Sequence, residues 1–242
     1  MQINNVNLNY IDYGKKNGKP LVFLHGWGQN IKMMKSLGDN FAKENRIIIL
    51  DLPGHGESDE PKYPWQLTDF IDMLKHFFDN LNIKKPTLIG HSFGGKISLL
   101  YASKYEVQSL ILFGSPFRKE IKKLSLKTKI LKSLKKVPIL NNLEEFAKKH
   151  IGSTDYKNAT PIMREILVNH VNTDITEDVK KINASTLIIW GAKDYTVSLN
   201  EAYELEKLIQ DSAVIVYENC THYAYLENLG QTINIINSFI KE

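Results

Sequence analysis

The chain has one cysteine, Cys220, in 242 residues, so neither an internal disulfide nor a cysteine-based zinc site can be built from it. No apolar run approaches the roughly 20 residues that a membrane span needs. Met1-Gln2-Ile3-Asn4-Asn5 lacks a basic segment followed by an apolar one, which argues against a secretory signal. Internal repeats and low-complexity linkers are absent as well. A strong bias of charge is also missing, the net being +4. These absences speak against a disulfide scaffold, a membrane-spanning protein and a general nucleic-acid binder, which spreads a basic face over its domain. A cytoplasmic globular protein is expected.

What is present fits one large α/β domain. Hydrophobic residues at 43% and charged residues at 24% suit a folded chain rather than a disordered one. A chain of this length buries roughly 70–75% of its unfolded surface, enough to dispense with metal or disulfide staples. The charge is unevenly placed. From Arg118 to Lys136 the net charge is +8, which leaves −4 on the remainder.

Short apolar runs recur between helical stretches. Leu21–Leu24, Ile47–Leu50, Thr87–Ile89, Leu110–Phe113, Leu187–Trp190 and Ala213–Tyr217 are continuous rather than alternating. Continuity of this kind predicts parallel strands buried on both faces. Amphipathic helices are expected near 30–44, 65–82, 94–104, 198–210 and 227–241. Val6–Tyr13 alternates, which predicts an antiparallel edge strand or hairpin. Together these patterns predict a doubly wound, mostly parallel sheet. Residues 117–182 carry helical periodicity and Lys-rich faces but no buried strand, so they read as an inserted helical cap. The core is then 1–116 and 183–242. In the basic part of the cap, Ile121, Leu124, Leu131 and Leu134 share one face. That face is expected to pack over a site, leaving weak membrane-surface contact as the competing expectation.

Gly90-His91-Ser92-Phe93-Gly94-Gly95 stands directly between the Thr87–Ile89 strand and a helix. This is G-x-S-x-G in the strand–turn–helix setting of a nucleophile elbow, where a strained turn lifts the serine hydroxyl above the sheet edge. Gly90 through Lys96 also matches G-x-x-x-x-G-K of a phosphate-binding loop. The next position should hold magnesium through Ser or Thr and is Ile97, which cannot.

A serine needs a base. Of seven histidines, His25, His55 and His91 lie in Gly-rich turns, where shape rather than proton transfer is expected of them. His76 falls in a helix, and His150 and His170 fall in the cap. His222 follows the last strand, from where it can reach back over the strand ends. Asp194, in Trp190-Gly191-Ala192-Lys193-Asp194, follows the preceding strand at its carboxyl end, where the groups of open α/β sheets gather. Asp51 occupies a turn, and Glu227 comes one helical step too late. Cys220, two residues before His222, is expected to be a buried structural thiol.

The order Ser92, Asp194, His222 resembles that of the α/β-hydrolase superfamily. So do His25-Gly26-Trp27-Gly28, Asp51-Leu52-Pro53-Gly54-His55-Gly56-Glu57-Ser58, and Thr221-His222. The resemblance covers essentially the whole chain and is weakest in the cap. It implies that the backbone N–H groups of Trp27 and Phe93 form an oxyanion hole. It further implies a serine hydrolase of small to medium carboxylic esters, working without metal or organic cofactor. Ser92 disfavours the relatives that use an aspartate nucleophile. A carbon–carbon bond hydrolase, faintly echoed by Tyr223 after the histidine, and an acyltransferase share this triad. A ligand receptor with a slow hydrolase-like pocket is the alternative of another class. The acyl chain and the oligomeric state are not written in the sequence.

Overall fold

The alternating N-terminal stretch folds as two pieces. β1 (Gln2–Ile3) and β2 (Val6–Asn7) form a small antiparallel hairpin, and β3 (Tyr10–Gly14) joins a larger sheet. The computed structural model describes residues 1–119 and 159–241. The continuous apolar runs become β4 (Pro20–Leu24), β5 (Arg46–Leu50), β6 (Thr87–His91), β7 (Ser109–Phe113), β8 (Thr186–Gly191) and β9 (Ser212–Tyr217). Their spatial order is β3-β5-β4-β6-β7-β8-β9, with β3 antiparallel to β5 and the other pairs parallel.

Parallel neighbours need crossovers, and helices supply them on both faces. These are α1 (Ile31–Gly38), α2 (Leu67–Asn80), α3 (Phe93–Ala102), α4 (Pro161–Asn172), α5 (Thr176–Val179), α6 (Leu199–Leu208), α7 (Ala224–Glu227) and α8 (Leu229–Phe239). The period-2 pleat sorts the strands between two cores. Val22, Ile48, Leu88, Leu110 and Ile188 pack with Phe77 of α2, Ile97 of α3 and Leu205 of α6. Their neighbours Phe23, Ile49, Ile89, Ile111 and Ile189 pack with Leu37 of α1 and Ile236 of α8 on the other face. Every residue of β6, β7 and β8 is buried. β9 departs from the two-faced burial its apolar run predicts: only Tyr217 is buried there, because the strand closes the sheet with β8 as its one neighbour.

From β4 the chain moves to β5 on one side, then crosses to β6 on the other. The gap between the carboxyl ends of β4 and β6 is therefore the switch point where ligands of such sheets bind. The stretch 117–182 lies between β7 and β8. Its described parts hold α4 and α5 and, among the described residues, no strand. The lysine-rich run with Ile121, Leu124, Leu131 and Leu134 lies outside the described residues. Among the described residues, no helix is long and apolar enough to cross a membrane.

Candidate active site

Ser92 sits at the switch point between β6 and α3 with φ 51° and ψ −112°. A non-glycine residue held there stores about 1–3 kcal/mol of strain. The surroundings hold it in place: its N–H donates to the Phe113 carbonyl at the end of β7 at 2.9 Å. Two residues on, a β-carbon at Gly94 would lie 2.3 Å from the Leu24 carbonyl oxygen. Only glycine lets α3 start this close to β4.

Asp194 and His222 meet above the end of β7. His222 Nδ1 donates to Asp194 Oδ2 at 2.7 Å, with the carboxylate side chain fully shielded and the imidazole 10% exposed. The other carboxylate oxygen accepts from the N–H groups of Thr196 (2.8 Å) and Val197 (2.9 Å). With its hydrogen on Nδ1, the neutral ring offers its Nε2 lone pair as a base. The loop bearing His222 is pinned at three consecutive residues. The Cys220 carbonyl accepts from Lys193 N–H, Thr221 donates to the Glu227 carboxylate through both its N–H and its hydroxyl, and the His222 carbonyl accepts from His91 Nε2 at 3.0 Å. Among the described residues, the Ser92 hydroxyl makes no hydrogen bond. Ser92 and His222 are thus not hydrogen-bonded to each other in this structure.

Trp27 follows β4 and Phe93 opens α3, and their rings pack edge to face at 5.3 Å. Neither backbone N–H donates to an acceptor among the described residues, which leaves both for a ligand. Gly94 N–H donates to the His25 carbonyl at 3.1 Å, tying the two segments together.

The remaining described histidines have other work. His25 accepts from Leu52 N–H at 3.0 Å, and burial pushes its pKa down to about 4. Burial likewise lowers His55, which contacts the Pro53 carbonyl, and takes His91 down to about 3. His170, buried on α4, is also lowered by burial and packs against the Phe93 ring at 4.5 Å. His76 lies on the exposed side of α2 beside Asn4. His150 lies outside the described residues. Among those described, His222 is the histidine with a carboxylate partner.

Asp51 is structural: it accepts from Asn9 Nδ2, Ile31 N–H and Glu57 N–H, fixing its turn and the start of α1. Cys220 is buried, and burial raises its thiol pKa. Lys96 is fully buried and turned away from its glycine-rich loop. Its Nζ donates to the carbonyls of His170 (2.8 Å) and Thr173 (2.6 Å) at the end of α4, and burial lowers its pKa to about 8. That arrangement needs no phosphate. Among the described residues, no three His, Cys, Asp or Glu side chains gather as a metal site would require.

The family model of the alpha/beta hydrolase fold matches residues 19–124, from the start of β4 past the end of β7. The chain has the alpha/beta hydrolase fold. This α/β hydrolase is 24% identical to the AB hydrolase superfamily protein YisY of Bacillus subtilis, over 92% of this chain and 91% of YisY. It is 27% identical to monoacylglycerol lipase ABHD6 of Mus musculus, over 94% of this chain and 77% of that one. Among solved structures, the esterase EaEST of Exiguobacterium antarcticum superposes with a TM-score of 0.77 at 24% identity, covering 100% of this chain and 98% of the esterase. That last likeness is one of fold.

Proposed function

We propose that this α/β hydrolase cleaves carboxylic esters of small to medium acyl groups through an acyl-enzyme on Ser92. The observation that carries the reading is the shielded His222–Asp194 pair beside a serine in the left-handed region. His222 Nε2 takes the Ser92 proton as Oγ attacks the ester carbonyl, and Asp194 holds the resulting imidazolium. The freed amides of Trp27 and Phe93 receive the oxyanion, each contributing about 3–4 kcal/mol to the transition state. Collapse expels the alkoxide, which takes the proton from His222. Water then attacks the acyl-enzyme, gives its proton to the same nitrogen, and the carboxylic acid leaves as Ser92 is reprotonated.

Residues 117–182 serve in this reading as a helical cap that selects the acyl chain. Support comes from α4, whose Met163 and Ile166 join the core while Lys96 fixes its end. The test is a fluorophosphonate probe with Ser92→Ala, together with p-nitrophenyl esters from acetate to palmitate. Labelling at Ser92 alone and multiple turnovers on short or medium esters are expected. Labelling elsewhere, or a single turnover, overturns the reading.

A further inference from the structure

His91 directly precedes Ser92, is fully buried, and contacts both the loop after β4 and the loop of His222. Its Nε2 lies 3.0 Å from the His222 carbonyl oxygen, and its Nδ1 lies 3.2 Å from Gln29 Oε1. Gln29 Oε1 in turn accepts from Gly26 N–H at 3.0 Å, one residue before the Trp27 amide. The ring is boxed in by His222 at 4.7 Å, Tyr223 at 5.3 Å and Tyr225 at 5.1 Å.

Both ring nitrogens face oxygen, yet a neutral imidazole has one hydrogen to give. Burial and the neighbouring His222 keep the ring neutral near pH 7. The shorter contact decides where that hydrogen sits. Gln29 Oε1 already has the Gly26 N–H, whereas the His222 carbonyl has no other donor among the described residues. The hydrogen therefore belongs on Nε2. Lys193 and Glu227 hold Cys220 and Thr221, so His91 is the contact that fixes the main chain of His222 itself.

We propose that His91 is a positioning residue of this hydrolase, whose Nε2–H holds the main-chain carbonyl of His222 and so sets the approach of the His222 imidazole to Ser92. The proposal rests on the Ser92–His222–Asp194 reading above. The backbone at residue 91 is fixed by β6, so the ring acts as a strut of constant length between nucleophile and base. Its loss lets His222 drift while leaving the Asp194 hydrogen bond and the oxyanion amides in place.

Three substitutions separate this role from packing. His91→Gln keeps an N–H at the distance of Nε2, His91→Asn keeps one at the distance of Nδ1, and His91→Leu keeps neither. With p-nitrophenyl butyrate, His91→Gln is expected to retain kcat within about threefold of wild type. His91→Asn and His91→Leu are expected to lose about 10- to 100-fold in kcat, since misplacing a reacting group by an ångström costs that order. KM should stay nearly constant, and the rate of fluorophosphonate labelling at Ser92 should fall in parallel with kcat. Should the Asn and Leu variants fail to fold, long-range ¹H–¹⁵N correlation on histidine-labelled wild type reads the tautomer directly. An Nε2–H ring for His91 supports the proposal, and an Nδ1–H ring overturns it. Equal kcat in the Gln, Asn and Leu variants, with wild type labelled at Ser92, overturns the proposal alone. A wild type unlabelled at Ser92 overturns the serine-hydrolase reading and this proposal with it.

Discussion

Gly114 faces the imidazole of His222 so closely that a β-carbon there would lie 2.8 Å from Nδ1 and 3.2 Å from Asp194 Oδ2. The residue also has φ 50°, which disfavours any side chain. Gly114→Ala is therefore expected to push His222 off the carboxylate. A loss of about 100-fold in kcat follows from a displacement near 1 Å, checked on p-nitrophenyl butyrate. Thermal unfolding of the same variant should shift far less than its activity.

Asp194→Asn preserves the shape of the pair and changes its hydrogen bonding. The amide can donate to Nδ1, which moves the imidazole hydrogen to Nε2 and removes the base. A fall of about 10⁴-fold in kcat is expected, with a circular dichroism spectrum like that of the wild type. Near-normal turnover would assign the orienting role to another carboxylate.

Relief of strain at the elbow predicts a gain in stability. Glycine takes the left-handed region without penalty, so Ser92→Gly should be inactive yet raise the urea midpoint above that of Ser92→Ala. The difference should be of the order of 1 kcal/mol, the penalty of a β-carbon in that region less the entropy cost of glycine.

The buried histidines set the acid limb of stability. His25 and His91 have folded pKa values of about 4 and about 3, against 6.5 when unfolded. Below pH 6.5 the unfolded chain binds protons that the folded chain refuses, so stability falls as pH drops toward 4 and is intact above 6.5. Each group costs roughly 3 kcal/mol by pH 4. Urea titrations from pH 7 to pH 4 check this, and His91→Gln should flatten the decline by about one histidine's share.

Much of this was readable in the chain because burial on both faces writes an uninterrupted apolar run, and β6, β7 and β8 bury every residue. β9 showed the limit of that signal: Ala213–Tyr217 is as apolar as an inner strand but lies at the edge of the sheet. The candidates Ser92, Asp194 and His222 stood out in the sequence because each follows a strand end, where turn residues mark the place. Their supports were not. His91 acts on a main-chain carbonyl 131 positions away, and no residue type announces which carbonyl a buried donor will find. Lys96 looked like part of a phosphate loop for the same reason, its partners being carbonyls rather than side chains. Glu227, one helical step too late to pair with His222, instead clamps Thr221 just before it.

The Lys96 anchor reads geometry and is blind to sequence. Its two acceptors belong to the backbone at positions 170 and 173, so the side chains along Pro161–Asn172 can change widely without loosening it. What cannot change is the count. Deleting one residue from that helix would turn its last carbonyls by about 100° and strand a buried ammonium. Segments exchanged into this position from other hydrolases should therefore be matched by where their counterpart of α4 stops.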